Sequence, residues 1–135
     1  MNEDRRRISS GGPWELLMGY CRAVRVGDQV LVAGTAPQRP DGSVDDDVEA
    51  QARRCLEIIE SALMEAGSGI ADVVRTRIYL VDAADFDAVA RAHRQVFDAV
   101  RPANTTVVVA GLLDQRWKVE IEAEAIVDTS RQPAR

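Results

Sequence analysis

The sequence predicts an α+β fold: one domain with a mixed, mostly antiparallel sheet and two helices on one face. Three observations carry it. Val119, Ile121, Ala123, Ala125 and Val127 alternate with Lys118, Glu120, Glu122 and Glu124, the period of a strand with one buried face. Val48, Ala52, Cys55, Ile59, Ala62, Leu63 and Ala66 recur at helical spacing. A second helical stripe runs through Phe86, Val89, Ala90, His93, Val96, Phe97 and Val100. The order ββ-α-β-α-ββ lets both helices bury one face on a sheet of five or six strands.

Length and composition agree. The 135 residues suffice for one core, and 46% hydrophobic with 29% charged residues is ordinary for a globular chain. A net charge of -5 gives no overall support for binding nucleic acid through its phosphates. No apolar run approaches the roughly 18 residues of a membrane span, and no apolar stretch follows the N-terminal arginines, so a cytoplasmic protein is expected. Cys21 and Cys55 are too few for a disulfide framework and read as free thiols.

Residues 1–19 read as an N-terminal extension, 20–127 as the domain and 128–135 as a flexible tail. Arg5–Arg7 has the look of a solvated run, and Gly11–Pro13 punctuates the segment. Trp14–Met18 is a short apolar patch. Trp14 either packs on the domain edge or walls a binding or subunit surface.

Tyr20–Val26 and Gln29–Gly34 read as antiparallel strands joined at Gly27–Asp28, with glycine first as a type II′ turn requires. Gly34 ends the second strand, where a missing side chain allows close approach. Pro40–Asp41–Gly42 marks a turn, and Asp45–Asp47 offer capping carboxylates to a helix over Val48–Ala66, stopped by Gly67. Arg53, Arg54, Glu57 and Glu60 fall on its outward side.

Val73–Val81 is the third strand, with Val74, Thr76, Ile78 and Leu80 on one face and Arg75, Arg77 and Tyr79 on the other. The second helix covers about Asp85–Val100, with His93 as a packing residue on or beside its inner stripe. Pro102 ends it, Thr105–Val109 forms a fourth strand and Lys118–Val127 the fifth. The charged face, with Arg75, Arg77, Glu120 and Glu122, can pair across strands, and its apolar flanks suggest cover from other subunits.

Several chemistries lack their motifs. One histidine and two distant cysteines give no zinc spacing, and Asp45–Asp47 lack the calcium-loop pattern. No P-loop, dinucleotide fingerprint or nucleophile elbow is present. What remains is a polar set at strand ends: Tyr20, Gly34, Asn104, Thr105, Thr106 and Glu120. Each has a plainer alternative, since Asn104 and the threonines can cap a turn, Glu120 can be solvated and Tyr20 can pack its ring.

Tyr20–Asp28, Val32–Thr35, Asp41–Gly42, Gln51, Asp72–Thr76, Asp85–Phe86, Arg101–Ala103 and Val119–Ala123 together resemble the RidA family, also called YjgF/YER057c/UK114, over roughly Tyr20 to Val127. The resemblance implies a chorismate-mutase-like fold and a homotrimer with small-molecule clefts between subunits. It also implies, in the best-known branch, cofactor-free hydrolysis of enamines and imines to keto acids and ammonia. Tyr20, Gly34 and Glu120 match that branch's substrate- and water-binding positions. Asn104 stands where the family has a carboxylate-gripping arginine, Thr106 where it has a cysteine, and Ala90 where it has an asparagine.

The arginine change matters chemically: an amide offers two donors and no charge in place of a charged planar fork. Loss of such a bidentate pair costs on the order of 1.5–3 kcal/mol. The expectation is therefore a divergent RidA-like homotrimer, without metal or cofactor, that binds a small polar metabolite. In it Glu120 positions water for imine hydrolysis, and Tyr20, Gly34, Asn104, Thr105, Thr106 and Trp14 surround the substrate. Arg22, Arg77 and Arg101 are other candidate anchors. The alternatives are a non-catalytic binding or regulatory trimer and a ribonuclease, the latter disfavoured by net acidity.

Overall fold

The structure, a computed structural model, describes residues 5–131. Six strands form one sheet in the order β1-β2-β3-β6-β4-β5. They are β1 (Arg5–Ile8), β2 (Ala23–Val26), β3 (Gln29–Thr35), β4 (Val73–Leu80), β5 (Ala103–Val108) and β6 (Val119–Ile126). Only β4 and β5 run parallel among these pairings, as the intervening helix crossover demands. The helices are α1 (Pro13–Met18), α2 (Val48–Glu65) and α3 (Phe86–Phe97).

The expected α+β class, sheet and two long helices are all present. Helices α2 and α3 cover one sheet face, and Ile59, Leu63, Phe97, Val119 and Ile121 fill the interface. The β2–β3 turn has Gly27 at φ 60, as its first central position requires. Asp47 caps α2 by accepting from the Ala50 amide at 2.9 Å. Gln51 is wholly buried: its Nε2 donates to the Asp45 and Arg116 carbonyls, and its Oε1 accepts from the Lys118 amide. One side chain thus ties the start of α2 to the start of β6.

Three local expectations need correction. Arg5–Arg7 is exposed, as expected, but it is a strand and not a free tail: it pairs with β2, and Arg6 Nη2 donates to the Glu65 carbonyl at the C-terminus of α2. Arg25 donates to the Ala66 carbonyl beside it, so two cations satisfy carbonyls that the helix leaves free. Val74 is exposed because the β4–β6 register shifts between Val73 and Arg75, which moves Val73 to the buried face instead. On α3, Phe86 is exposed and Ala92 buried, so the inner stripe is rotated from the expected one.

Beyond β6, Thr129–Arg131 forms one 3-10 turn, and residues 132–135 of the expected tail lie outside the described residues. Among the described residues no helix is long and apolar enough to cross a membrane.

The charged face exists as expected. Arg77 stands opposite Glu122 and bonds both Glu122 and Glu124 at 3.0 and 2.9 Å, while the Tyr79 hydroxyl donates to Glu122 at 2.6 Å.

Candidate functional site

Alternation along β6 sends Val119 and Ile121 into the core and Glu120 to the other side, next to Tyr79 on β4. On the opposite flank lies Gly34 of β3, close enough that a Cβ built there would overlap the Glu120 carboxylate. The carbonyl of Gly34 accepts from Arg22 Nη2 at 2.5 Å, and the Arg22 guanidinium lies 5.8 Å from the centre of the Tyr20 ring. Tyr20, Gly34 and Glu120, separated by up to 100 positions in sequence, therefore share one site.

Burial raises the pKa of Glu120 above the usual glutamate value, opposed by Arg22 and reinforced by Glu122. The carboxyl can hold or exchange a proton nearer neutrality than a surface glutamate, which is what positioning and activating a water requires. A cavity of about 610 Å³ opens over it, walled by Tyr20, Gly34, Trp14 and Trp117. Trp14, the exposed aromatic of α1, meets Trp117 edge-on at 6.2 Å between ring centres.

The helix α1 that carries Trp14 is held by Glu15. Its carboxylate accepts from the Ser9 hydroxyl at 3.1 Å and from the Ser10 amide and hydroxyl. Burial raises the Glu15 pKa, but these hydrogen bonds, mainly from Ser10, outweigh it and leave the net value lowered.

Asn104 and Thr106 are elsewhere within the chain. They pair with Thr76 and Ile78 on the helix-covered face, whereas Thr105 pairs with Arg77 and so turns to the open face. Asn104 Nδ2 donates to Thr76 Oγ1 at 3.0 Å, and Thr106 Oγ1 donates to Asn104 Oδ1 at 2.8 Å. Thr76 Oγ1 also lies 2.8 Å from His93 Nε2. Asn104, Thr106 and His93 line another cavity of about 330 Å³ between α3 and the β5 edge, with Ala90 and Phe97. His93 is the hydrogen-bonded packing residue expected, and burial lowers its pKa.

Among the other candidate anchors, Arg22 is at the Glu120 cavity and Arg77 is spent on Glu122 and Glu124. Arg101, at φ 56 before Pro102, folds back onto Asp98 at 3.0 Å. Cys55 is buried in the core, where desolvation pushes its thiol pKa far up, so it is no nucleophile.

Trp117 and Arg54 line the Glu120 cavity without any local signal for it. Trp117 precedes the alternating run, and Arg54, expected on the outward side of α2, is instead half-buried with its Nε enclosed.

A sequence model of the family described as Endoribonuclease L-PSP matches residues 15–127. The chain belongs to the YjgF/YER057c/UK114 (RidA) family. One YjgF/YER057c/UK114 member of known structure, Rv2704 from Mycobacterium tuberculosis, is 45% identical, with a TM-score of 0.85 over 91% of this chain and 99% of that one. The 2-iminobutanoate/2-iminopropanoate deaminase of Salmonella typhimurium is 36% identical over 79% of this chain and 86% of its own. A structure of Escherichia coli TdcF with bound serine is 30% identical, with a TM-score of 0.77 over 91% and 94% of the two chains. YjgF-family relatives thus include a named imine deaminase and a protein that binds a small amino acid.

Proposed function

We propose that this chain is a cytoplasmic, cofactor-independent imine or enamine hydrolase that works as a homotrimer. The observation that carries the reading is Glu120, a carboxyl of raised pKa set against Gly34 in a cavity that Tyr20 and Trp14 also wall. The carboxylate takes a proton from water as the water oxygen bonds to the imine carbon. Glu120 returns that proton to the nitrogen, giving the carbinolamine; it then carries the carbinolamine hydroxyl proton to the nitrogen as the C–N bond breaks and the C=O bond forms, and a carbonyl compound and ammonia leave.

The trimer accounts for the separation of the expected site into two cavities. Asn104 and Thr106 sit on edge strand β5, where Val107 and Val108 are exposed, and a neighbouring subunit brings such an edge to the Glu120 cavity of the next. Thr105, on the open face with Arg77, contributes on the same interface.

The test is hydrolysis of 2-aminoacrylate and of bulkier imines by the purified trimer. Glu120→Gln is expected to abolish turnover and Asn104→Ala to reduce it; turnover unchanged in Glu120→Gln overturns the reading. Light scattering is expected to give three chains, and a stable monomer at micromolar concentration removes the shared cleft.

One observation favours a second reading. Asn104 spends both ends of its amide on Thr76 and Thr106, which suits a non-catalytic binding trimer. That reading gives ligand-dependent thermal stabilisation and no turnover on any imine. Ribonuclease activity finds no support in the net charge of -5, and a nuclease assay on the same preparation decides it.

A further inference from the structure

Four polar side chains, His93, Thr76, Asn104 and Thr106, form a hydrogen-bonded chain from α3 across β4 to the β5 edge, and the chain has a direction. The Thr76 carbonyl, which can only accept, lies 3.4 Å from Asn104 Nδ2 and fixes which end of that amide is nitrogen. Nδ2 also donates to Thr76 Oγ1 at 3.0 Å, so the nitrogen end is committed to Thr76. The other end, Oδ1, is an acceptor. Thr106 Oγ1, 2.8 Å away, therefore gives it the only proton that a threonine hydroxyl has.

The far end of the chain is locked in the interior. Thr76 is fully buried, its hydroxyl accepts from Asn104, and its own proton needs a partner. His93 Nε2 stands 2.8 Å away to take it. Burial lowers the His93 pKa, which favours the neutral ring in which Nε2 accepts. Phe97, 4.6 Å away between ring centres, holds the imidazole in turn.

The near end faces out. Asn104 is exposed and Thr106 half-buried, and both line the cavity of about 330 Å³ beneath apolar walls from Phe86, Val89 and Pro102. With its proton spent on Asn104, the Thr106 oxygen has only lone pairs to offer there. Arg101 on the same cavity is paired with Asp98 at 3.0 Å, while Arg94 has no ion pair among the described residues and disfavours a cationic donor.

We propose that His93 and Thr76 are positioning residues that lock Asn104, and that the Thr106 oxygen is thereby an acceptor selecting uncharged ligands with an N–H donor, such as a primary amide. The proposal rests on the hydrolase reading and names its substrate class: imines carrying an uncharged donor group instead of a carboxylate. A carboxylate brings acceptors alone and finds no proton at Thr106.

The test is an NMR titration of the isotope-labelled protein with benzamide, acetophenone and benzoate, which share a ring and a carbonyl and differ in the group beside it. Benzamide is expected to bind about fivefold more tightly than acetophenone, whose methyl replaces the amide nitrogen, and more tightly than benzoate. Its shifts should centre on Asn104 and Thr106. Thr106→Val, of the same shape without the oxygen, is expected to bring benzamide down to acetophenone. His93→Phe is expected to lose most of the preference at unchanged acetophenone affinity, and His93→Gln, which keeps an acceptor, to retain it.

Equal affinity for benzamide and acetophenone, or a full preference in Thr106→Val, overturns the subsite. So does benzoate binding tightest, as Arg94 would favour, or no shift at Asn104 and Thr106 up to millimolar benzamide. A His93→Phe variant with the full preference overturns the positioning role; if it fails to fold, Thr106→Val on the β5 edge decides alone. Amide preference without any imine turnover overturns the hydrolase alone, and imine turnover with no amide preference overturns the subsite alone.

Discussion

Gly34 and Glu120 are in contact so close that the glycine has no room for a side chain: an added Cβ would overlap the Glu120 carboxylate. The obstructing atom is the tip of a flexible side chain, not backbone, so Gly34→Ala is absorbed by displacing the carboxylate. The expected outcome is a melting temperature within a few degrees of wild type and imine turnover reduced at least about tenfold. Thermal melts and kcat/KM on the same preparation check both halves.

Glu120 should oppose stability at neutral pH. Its folded pKa is raised by burial, so the folded state binds more protons than the unfolded one between the ordinary glutamate value and the raised one. Stability therefore falls as pH rises through that window. Glu120→Gln removes the penalty and is expected to melt higher than wild type at pH 7, with the difference vanishing at pH values below the ordinary carboxylate range. Paired melts across pH measure this, and catalysis by the carboxylate gives wild-type activity the complementary profile, rising with pH through the raised pKa.

Glu15 should behave in the reverse sense. Its folded pKa is net lowered, so its contribution is complete above the ordinary glutamate value and is lost as pH falls through the lowered one. Glu15→Ala leaves Ser9 and Ser10 without their acceptor and is expected to cost about 1–3 kcal/mol at pH 7. Denaturant titration measures the loss, which should shrink in acid. Because Glu15 positions the helix carrying Trp14, which walls the Glu120 cavity, imine turnover is expected to fall in the same variant.

The parts of this protein legible in its sequence are those where one element announces its own environment. The alternation of Val119–Val127 marked β6 and its two faces, and the apolar stripe of Val48–Ala66 marked α2. The strand-ending Gly34 and the outward Glu120 carried enough pattern to be named as site residues, and the chain brings them together. Val74 and Phe86 misled because a one-residue shift or a slight helix rotation changes which side is buried without changing local composition.

The sequence by itself determined the fold class, the family and the set of polar residues worth weighing. Tertiary structure decided how that set divides. Pairing of β5 with β4 fixes Asn104 and Thr106 on the helix-covered face, while β6, across β4, presents Glu120 to the other, so one nominal site becomes two cavities. It also decided that Arg6 caps α2 and that Arg54 and Trp117 wall the Glu120 cavity. Such placements depend on contacts between residues tens of positions apart, and periodicity within one element carries no information about what another element sets beside it.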